Sequence, residues 1–257
     1  MPDLDTQLHL DMLRDFRREK IPVHLAERRG YAVRSELERA IKAGELPHEP
    51  ADKGVRLVCV SDLERLYGRP RGDIYGMHWG DPETVQPLSF IKKSYVLPHA
   101  KPESVGLEIG PGGGRWTQYL TKMKRLYVVD YHKELLAEFS RTFKAPNIIA
   151  IQNNGADFPG VPDGEIDFLM SFDVFVHLEP DLIETYLNNM MRVLKRDAIV
   201  LIHYSDKTKI MARINPGFAE TTPEIMRRLV LSAGYEILQE DTTTMWHSSI
   251  ILFRPAR

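Results

Sequence analysis

Residues 106–116, GLEIGPGGGRW, decide how the rest of this chain is interpreted. An apolar, strand-like run carrying one acidic residue is followed at once by four glycines and a proline. Glycines in such a place either form a tight turn or let the backbone approach a ligand closely. A ligand site would also need polar residues at the ends of neighbouring strands.

From position 105 onward, apolar runs alternate with helical stretches. The runs are VGLEI, RLYVV, NIIAI, IDFLMS and AIVLIHY, and the helical stretches are RWTQYLTKM, HKELLAEFSRTF and EPDLIETYLNNMMRVLK. This alternation predicts an α/β fold with a Rossmann-like, doubly wound parallel sheet. After the helix TPEIMRRLVLSAG, the runs YEILQE and SSIILF have no helix between them. They should form a C-terminal antiparallel hairpin.

The sequence predicts three regions. They are a small, mostly helical unit over residues 1–66, an aromatic, glycine- and proline-rich lid or connector over 67–104, and the alternating domain over 105–257. In the first region, apolar residues recur at the helical spacing of Leu4, Leu8, Met12 and Phe16. Ser35 and Glu38 have capping-box spacing for a second helix that should end near Gly44. VRLVCV then predicts a strand and SDLERLYG a short helix.

The composition excludes several classes of protein. A formal net charge of −2 gives no overall attraction to nucleic acid or to an acidic membrane surface. No stretch approaches the roughly 20 apolar residues of a membrane span, and the N-terminus lacks the apolar region of a signal peptide. The single cysteine, Cys59, excludes an internal disulfide and fits a reducing compartment. We therefore expect a cytoplasmic protein without a nucleic-acid or membrane partner.

The glycine spacing selects the kind of ligand. Glycines stand at 110, 112 and 114, whereas a dinucleotide fingerprint needs glycine at 115, where Arg115 stands. Glu108 would be an unwelcome charge beside a pyrophosphate, but it suits a ligand that carries an ammonium and a sulfonium group. S-adenosylmethionine is such a ligand.

The end of the next strand provides a second test. RLYVV ends at Asp130, twenty residues after Gly110 (130 − 110 = 20), the offset expected for an acid that binds ribose hydroxyls. A loop of glycines and an unrelated aspartate would not need this spacing. The sequence therefore predicts a nucleotide-containing ligand.

The segments EIGPGGG, VVDYHKE, NNGADFPGVPDGEIDFLMSFDVFVHLE and MRVLKRDAIVLIHYSD resemble the class I S-adenosylmethionine-dependent methyltransferases, over about residues 105–257. A final strand pair without a helix is also typical of that family. YGMHWGDPE, GRW and SFDVFVHLEPD resemble, more narrowly, a bacterial subgroup associated with sugar, polysaccharide or secondary-metabolite modification. The chain departs from the family in LKRDA, where a proline–glycine turn is usual.

The resemblance implies a set of cofactor-binding residues. Those bordering the methionine part would be Glu108, Gly110, Gly112 and Gly114, and those contacting ribose and adenine would be Asp130, Tyr131, Asn154, Gly155 and Ala156. Asn153 or Asp157 is an alternative to Asn154 for the adenine amino group. Asn-Gly is also a common turn pair, so a purely structural role for Asn154 stays open.

A base that accepts a hydroxyl proton near neutral pH is most simply a histidine. The catalytic candidates are His177, which follows the strand IDFLMS, and His203, which lies at the end of the next strand, AIVLIHY. A structural role is the alternative for each. Asp173 could assist His177 or bind a metal, but no second acidic cluster supports a metal, so we expect none.

Three residues outside the strand ends are candidates for the acceptor and the lid. Arg213 lies in the insertion before the last helix and could hold a carboxylate or phosphate, or be solvated. Trp79 and Tyr75 could cover the cofactor and a sugar ring, with core packing as the alternative for Trp79. The sequence therefore predicts an O-methyltransferase acting on a small polar acceptor, a sugar or a glycosylated metabolite. N-methylation of an amine and a regulatory protein without turnover are the alternatives.

Overall fold

The computed structural model describes residues 20–28, 31–51, 54–67, 76, 79–83 and 85–256. The chain divides into two compact units, Met1–Ile74 and Tyr75–Arg257. The expected helix containing Leu4, Leu8, Met12 and Phe16 lies outside the described residues, as does Tyr75. The finer division at 66 and 104 stays a prediction.

The described part of the first unit contains three helices and a three-stranded antiparallel sheet of order β1-β3-β2. The helices are α1 (Val23–Arg28), α2 (Arg34–Lys42) and α3 (Val60–Tyr67), and the strands are β1 (Lys20–Pro22), β2 (His48–Pro50) and β3 (Arg56–Cys59). The strand predicted at VRLVCV and the helix after it are confirmed as β3 and α3.

The capping box predicted for Ser35 and Glu38 is wrong. Helix α2 begins at Arg34, one residue before Ser35, and its N-cap residue, Val33, makes no side-chain capping bond. The Glu27 carboxylate of α1 accepts a 3.1 Å hydrogen bond from the Arg34 backbone N–H. A neighbouring helix thus satisfies a donor at this terminus, which a local motif cannot reveal.

The second unit is built on a seven-stranded sheet of order β6-β5-β4-β7-β8-β10-β9. Its strands are β4 (Val105–Ile109), β5 (Arg125–Asp130), β6 (Ile148–Gln152), β7 (Ile166–Ser171), β8 (Leu194–Ser205), β9 (Tyr235–Asp241) and β10 (Ser248–Pro255). The first five are parallel, and β10 runs antiparallel to both β8 and β9. The predicted α/β sheet and its C-terminal antiparallel hairpin are therefore confirmed.

Helices cover both faces of this sheet. They are α4 (Gln86–Ile91, continued by a π-helical turn, Lys92–Val96), α5 (Lys133–Thr142), α6 (Pro180–Val193), α7 (Ile210–Arg213) and α8 (Pro223–Ser232). Among the described residues, none of the helices is long and apolar enough to cross a membrane.

Two apolar cores follow from the alternation of side chains along the strands. On β5, Val128 packs in the same core as Phe139 of α5, and Val129 packs in the other core with Leu187 of α6. All four side chains are almost completely buried, and each contributes about 1.5–3 kcal/mol by leaving water. With both faces covered, the carboxyl ends of the strands remain for ligands.

Two local predictions in this unit are wrong. The stretch RWTQYLTKM forms only a 3₁₀ turn, Thr117–Tyr119, because the ten residues 115–124 must also return the chain to the start of β5. A regular helix of that length would span about 15 Å and leave no residues for the turn. The residues LKRDA, at the predicted boundary between a helix and the next strand, form neither a helix end nor a loop. Leu194 already pairs with Ile166, so strand β8 begins directly after helix α6.

Candidate active site

The glycine loop follows β4 at the point where the chain order of the sheet reverses. Gly110, Gly112 and Gly114 have φ values of +66°, +54° and +91°, in the left-handed region that favours glycine. A Cβ atom at position 110 would overlap Val174, and one at position 114 would overlap the ring of Phe143. These glycines therefore serve the turn and its packing, and the case for a ligand depends on the polar groups around the loop.

Glu108 is a buried acid on the strand that leads into the loop. Its side chain accepts a 2.5 Å hydrogen bond from the Thr117 hydroxyl. Burial raises the pKa of Glu108 to about 7, although the bond from Thr117 and the charge of Arg115 act in the opposite direction. No lysine, arginine or histidine forms an ion pair with Glu108 within the described part of the chain. A cationic ligand group would therefore stabilise its ionised form.

Asp130 ends β5 and is also nearly buried. Its Oδ1 accepts a 2.8 Å hydrogen bond from the His132 backbone N–H and lies 3.2 Å from His132 Nδ1. Its Oδ2 makes no hydrogen bond with any residue that the structure describes. Oδ1 thus holds the turn after the strand, and Oδ2 is available to accept from hydroxyl groups.

The loop after β6 lies beside the ring of Tyr131. Asn154 Oδ1 accepts from the backbone N–H groups of Ala156 and Asp157 at 3.0 and 3.1 Å. The backbone N–H of Asn154 donates to Asp157 Oδ1 at 2.8 Å. Gly155 has φ +101°, and a Cβ there would lie 3.7 Å from the Tyr131 ring. The structure thus brings Tyr131 and Gly155 together, whereas the side-chain oxygen of Asn154 accepts hydrogen bonds from within its own loop.

Polar groups therefore surround the carboxyl ends of β4, β5 and β6. Residues 107–197, which contain these three strand ends, match the family model described as a methyltransferase domain. The chain is an S-adenosylmethionine-dependent methyltransferase. The predicted enzyme class and cofactor are confirmed. No curated protein matches the chain.

Solved structures share the fold at low sequence identity. A protein from Pyrococcus horikoshii OT3 is 17% identical, with a TM-score of 0.57 over 75% of this chain and 97% of that one. An S-adenosylmethionine-dependent methyltransferase from Clostridium acetobutylicum ATCC 824 is 12% identical, with a TM-score of 0.54 over 66% and 90%. The CcbJ methyltransferase from Streptomyces caelestis is 14% identical, with a TM-score of 0.55 over 69% and 99%.

The polar groups of this methyltransferase fit its cofactor. Among the described residues no cation forms an ion pair with Glu108, so its carboxyl suits the ammonium group, and Asp130 Oδ2 suits the ribose hydroxyls. The indole N–H of Trp116 is buried and has no partner among the described residues, so it suits the cofactor's carboxylate. When bound, S-adenosylmethionine supplies a methyl group on a positively charged sulfur.

Arg115 and Asp173 form an ion pair beside the loop. The Arg115 guanidinium also donates a 3.2 Å hydrogen bond to the Gly80 carbonyl, and it lies 5.8 Å from the rings of Trp116 and Phe172. Within the described part of the chain, no hydrogen bond or ion pair joins Asp173 to His177, and no group of three or more histidine, cysteine or acidic side chains could hold a metal ion. From the sequence alone, Arg115 is notable only as the residue that breaks a dinucleotide fingerprint.

His203 is completely buried on β8. Its Nε2 lies 2.5 Å from the Ser248 hydroxyl, its ring stacks on Phe172, and its Nδ1 lies 3.1 Å from both the backbone nitrogen and the Oδ1 of Asp173. Both ring nitrogens are engaged by the protein. This arrangement suits the alignment of Asp173 better than contact with an acceptor.

His177 is exposed after β7, and its Nδ1 lies 2.6 Å from the Gly217 carbonyl. A carbonyl can only accept, so Nδ1 carries the proton and Nε2 of the neutral ring has a free lone pair. The ring also meets Phe218 edge-on at 5.7 Å. The insertion between β8 and α8 thus fixes the tautomer that a base requires.

Three predicted residues remain: Arg213, Trp79 and Tyr75. Arg213 is exposed on α7, and its side chain makes no hydrogen bond or ion pair with the described residues. Trp79 is 45% exposed, and its ring centre lies 6.0 Å from the Arg115 guanidinium. Tyr75 lies outside the described residues. Trp79 is thus next to the glycine loop, and Arg213 belongs to the insertion that holds His177.

Sequence reasoning missed Arg115, Thr117 and His132. The Asp-Tyr-His run was a usable signal for His132, since an aspartate often accepts from the backbone two residues later. Arg115 and Asp173 are 58 positions apart in the sequence, and only the sheet order brings them together.

Proposed function

We propose that this methyltransferase transfers the methyl group to a hydroxyl of a small polar acceptor, a sugar or a glycosylated metabolite. The observation that carries the proposal is the 2.6 Å contact between His177 Nδ1 and the Gly217 carbonyl. In the neutral ring, this contact places the proton on Nδ1 and makes Nε2 the acceptor, on an exposed side chain that follows β7. A hydroxyl acceptor needs such a base, whereas a neutral amine does not.

In the proposed reaction, the hydroxyl oxygen forms a bond to the methyl carbon while the carbon–sulfur bond breaks. The electron pair of that bond stays on the sulfur, which becomes neutral, and the hydroxyl proton moves to His177 Nε2. The enzyme's main contribution is to hold the oxygen in line with the methyl group, with the base within hydrogen-bond reach. Atoms and charges balance without a metal ion.

The surroundings of His177 favour a glycosylated metabolite over a free sugar. Ile210, Ile214 and Trp246 are 66–75% exposed. Ile210 is the first residue of α7, which follows the carboxyl end of β8, and Ile214 is the C-cap of that helix. Trp246 precedes the start of β10, which pairs with the same end of β8. Apolar surface at this edge fits an acceptor with an apolar part, and Arg213 would pair with a carboxylate or phosphate on it.

We also propose a cytoplasmic location and a small-molecule partner rather than a nucleic acid. The support is the net charge of −2 and the single cysteine, Cys59, which leaves no second cysteine for an internal disulfide. N-methylation of an amine remains the second candidate, because the fold accommodates it equally well.

The experiment is to identify by mass spectrometry what copurifies with the protein, and then to assay these compounds and matched hydroxyl and amine analogues with methyl-labelled cofactor. We expect the label in a methyl ether. Label in an N-methyl group would contradict O-methylation. Binding of the cofactor without turnover on any copurified compound would favour a regulatory role.

A further inference from the structure

The Arg115–Asp173 pair has an orientation. The Arg115 side chain is 5% exposed and the Asp173 side chain 27% exposed, so the cation is buried behind the carboxylate. Burial opposes ionisation of Asp173, but the charge of Arg115 favours it and holds the pKa of its carboxyl well below the usual range. The pair therefore presents its negative end to the open side of the site.

The backbone fixes this carboxylate in place. Asp173 has φ +62° and is the sole non-glycine residue with a positive φ in the described part of the chain. Aspartate and asparagine tolerate this region better than other residues, although it still costs energy. The backbone N–H of Asp173 donates to His203 Nδ1 at 3.1 Å, and Arg115 holds its side chain. Two independent contacts thus maintain an unfavourable conformation.

Asp173 also lies between the two halves of the site. The next residue, Val174, packs so closely on Gly110 that a Cβ there would overlap it. Arg115 directly follows the last glycine of the loop. On the other side, the ring of His203 lies 6.2 Å from that of His247, which lies 5.3 Å from the ring of Phe218 in the insertion. A carboxylate in this position is next to the place where the cofactor loop and the acceptor edge meet.

We propose that Asp173 faces the sulfonium, so that the Arg115–Asp173 pair distinguishes the charged cofactor from its product. Methyl transfer converts a sulfur of charge +1 into a neutral thioether. The electron pair of the broken bond to the methyl carbon stays on the sulfur as a lone pair. The attraction to Asp173 therefore disappears in the reaction itself. The carboxylate favours binding of S-adenosylmethionine over S-adenosylhomocysteine and promotes release of the product.

Calorimetry with both compounds tests this without an acceptor. Asp173→Asn keeps a residue that tolerates the positive φ and removes the charge. We expect the Kd of S-adenosylmethionine to rise about tenfold, equivalent to about 1.4 kcal/mol, while the Kd of S-adenosylhomocysteine changes less than about threefold. The matched control is Asp130→Asn, which should weaken both ligands by the same factor, because both contain the ribose.

A second variant separates Asp173 from the cation behind it. Arg115→Met combined with Asp173→Asn removes both charges and leaves no buried charge unpaired. It should show the same loss of preference for S-adenosylmethionine. The proposal is overturned if this double variant keeps the wild-type ratio of the two Kd values, or if Asp173→Asn weakens both ligands equally or neither. Circular dichroism should accompany each measurement to establish that the variants are folded.

Discussion

The Thr117 hydroxyl donates a 2.5 Å hydrogen bond to the carboxyl of Glu108. Among the described residues, this is the sole hydrogen bond of the Glu108 side chain. One hydroxyl cannot replace the water that a carboxylate loses on burial. The fold therefore keeps an acid in a place where its ionisation is unfavourable until a cation arrives.

The first prediction concerns the stability of the free protein. The pKa of Glu108 is about 7 in the fold, above its ordinary value of 4.5. The folded state therefore binds more protons than the unfolded state between these values, and stability falls as pH rises through this window. The loss is on the order of 3 kcal/mol. Urea denaturation of wild type and Glu108→Gln at pH 5 and pH 8 should show that the variant lacks this part of the decline.

The same variant should bind the cofactor less tightly at pH 8, because it has no charge for the ammonium group. Since both S-adenosylmethionine and its product carry that ammonium, calorimetry should show equal losses for the two ligands. A Glu108→Gln protein with wild-type affinity would contradict the assignment of Glu108 to the cofactor site.

The second prediction compares two glycines with positive φ. Gly114 (φ +91°) would direct a Cβ into Phe143, whereas Gly160 (φ +72°) has open space at that position. Alanine at either site carries the left-handed penalty of about 1–2 kcal/mol. Gly114→Ala should cost about 1–3 kcal/mol more, because the ring must move. Denaturation midpoints measure the difference, and equal losses would show that Phe143 moves at no cost.

Much of the second unit could be predicted because its signals are local and repeated. Apolar runs at regular intervals, with helical spacing between them, indicate parallel strands whatever their final order. The prediction was wrong where a length constraint overrode the pattern. RWTQYLTKM has helical character, but the return to β5 is too short for a helix. LKRDA has no turn residue because β8 begins without a turn.

The candidate site divides in the same way. Asp130 and the glycines follow from spacing along two consecutive strands and the short connection between them, so the sequence alone indicates them. Arg115 and Asp173 meet only because β4 and β7 are neighbours in the sheet, and no pattern in the chain predicts which two strands will be adjacent. The difference in exposure between His177 and His203 likewise depends on packing by the insertion and by β10.

The third prediction concerns the segment that contains Trp79. Arg115 joins the Gly80 carbonyl to the glycine loop. Cofactor bound at that loop should therefore slow limited proteolysis between residues 67 and 95, because ordering protects the backbone. Cleavage within residues 31–51 of the first unit should keep its rate and serves as the internal control.

Trp79→Ala tests whether this segment acts as a lid. We expect the folded variant to lose part of the cofactor-dependent protection and to turn over more slowly. If cleavage in the wild type is equally fast with and without cofactor, the segment is a static connector. Normal binding and turnover by Trp79→Ala would support the same conclusion.

The last prediction is that His177 takes the acceptor's proton. His177→Asn places an amide N–H where Nδ1 donates to the Gly217 carbonyl, so it preserves the loop contact and removes only Nε2. We expect nearly normal cofactor affinity and a roughly 10²–10⁴-fold loss in kcat, the usual contribution of a positioned base. The loss should exceed any change in acceptor KM, because the proton moves only in the transition state. His48→Ala, an exposed histidine of β2, is the control and should leave the rate unchanged. A His177→Asn enzyme that keeps most of its rate on the true acceptor would make His177 structural and transfer the search for the base to His203.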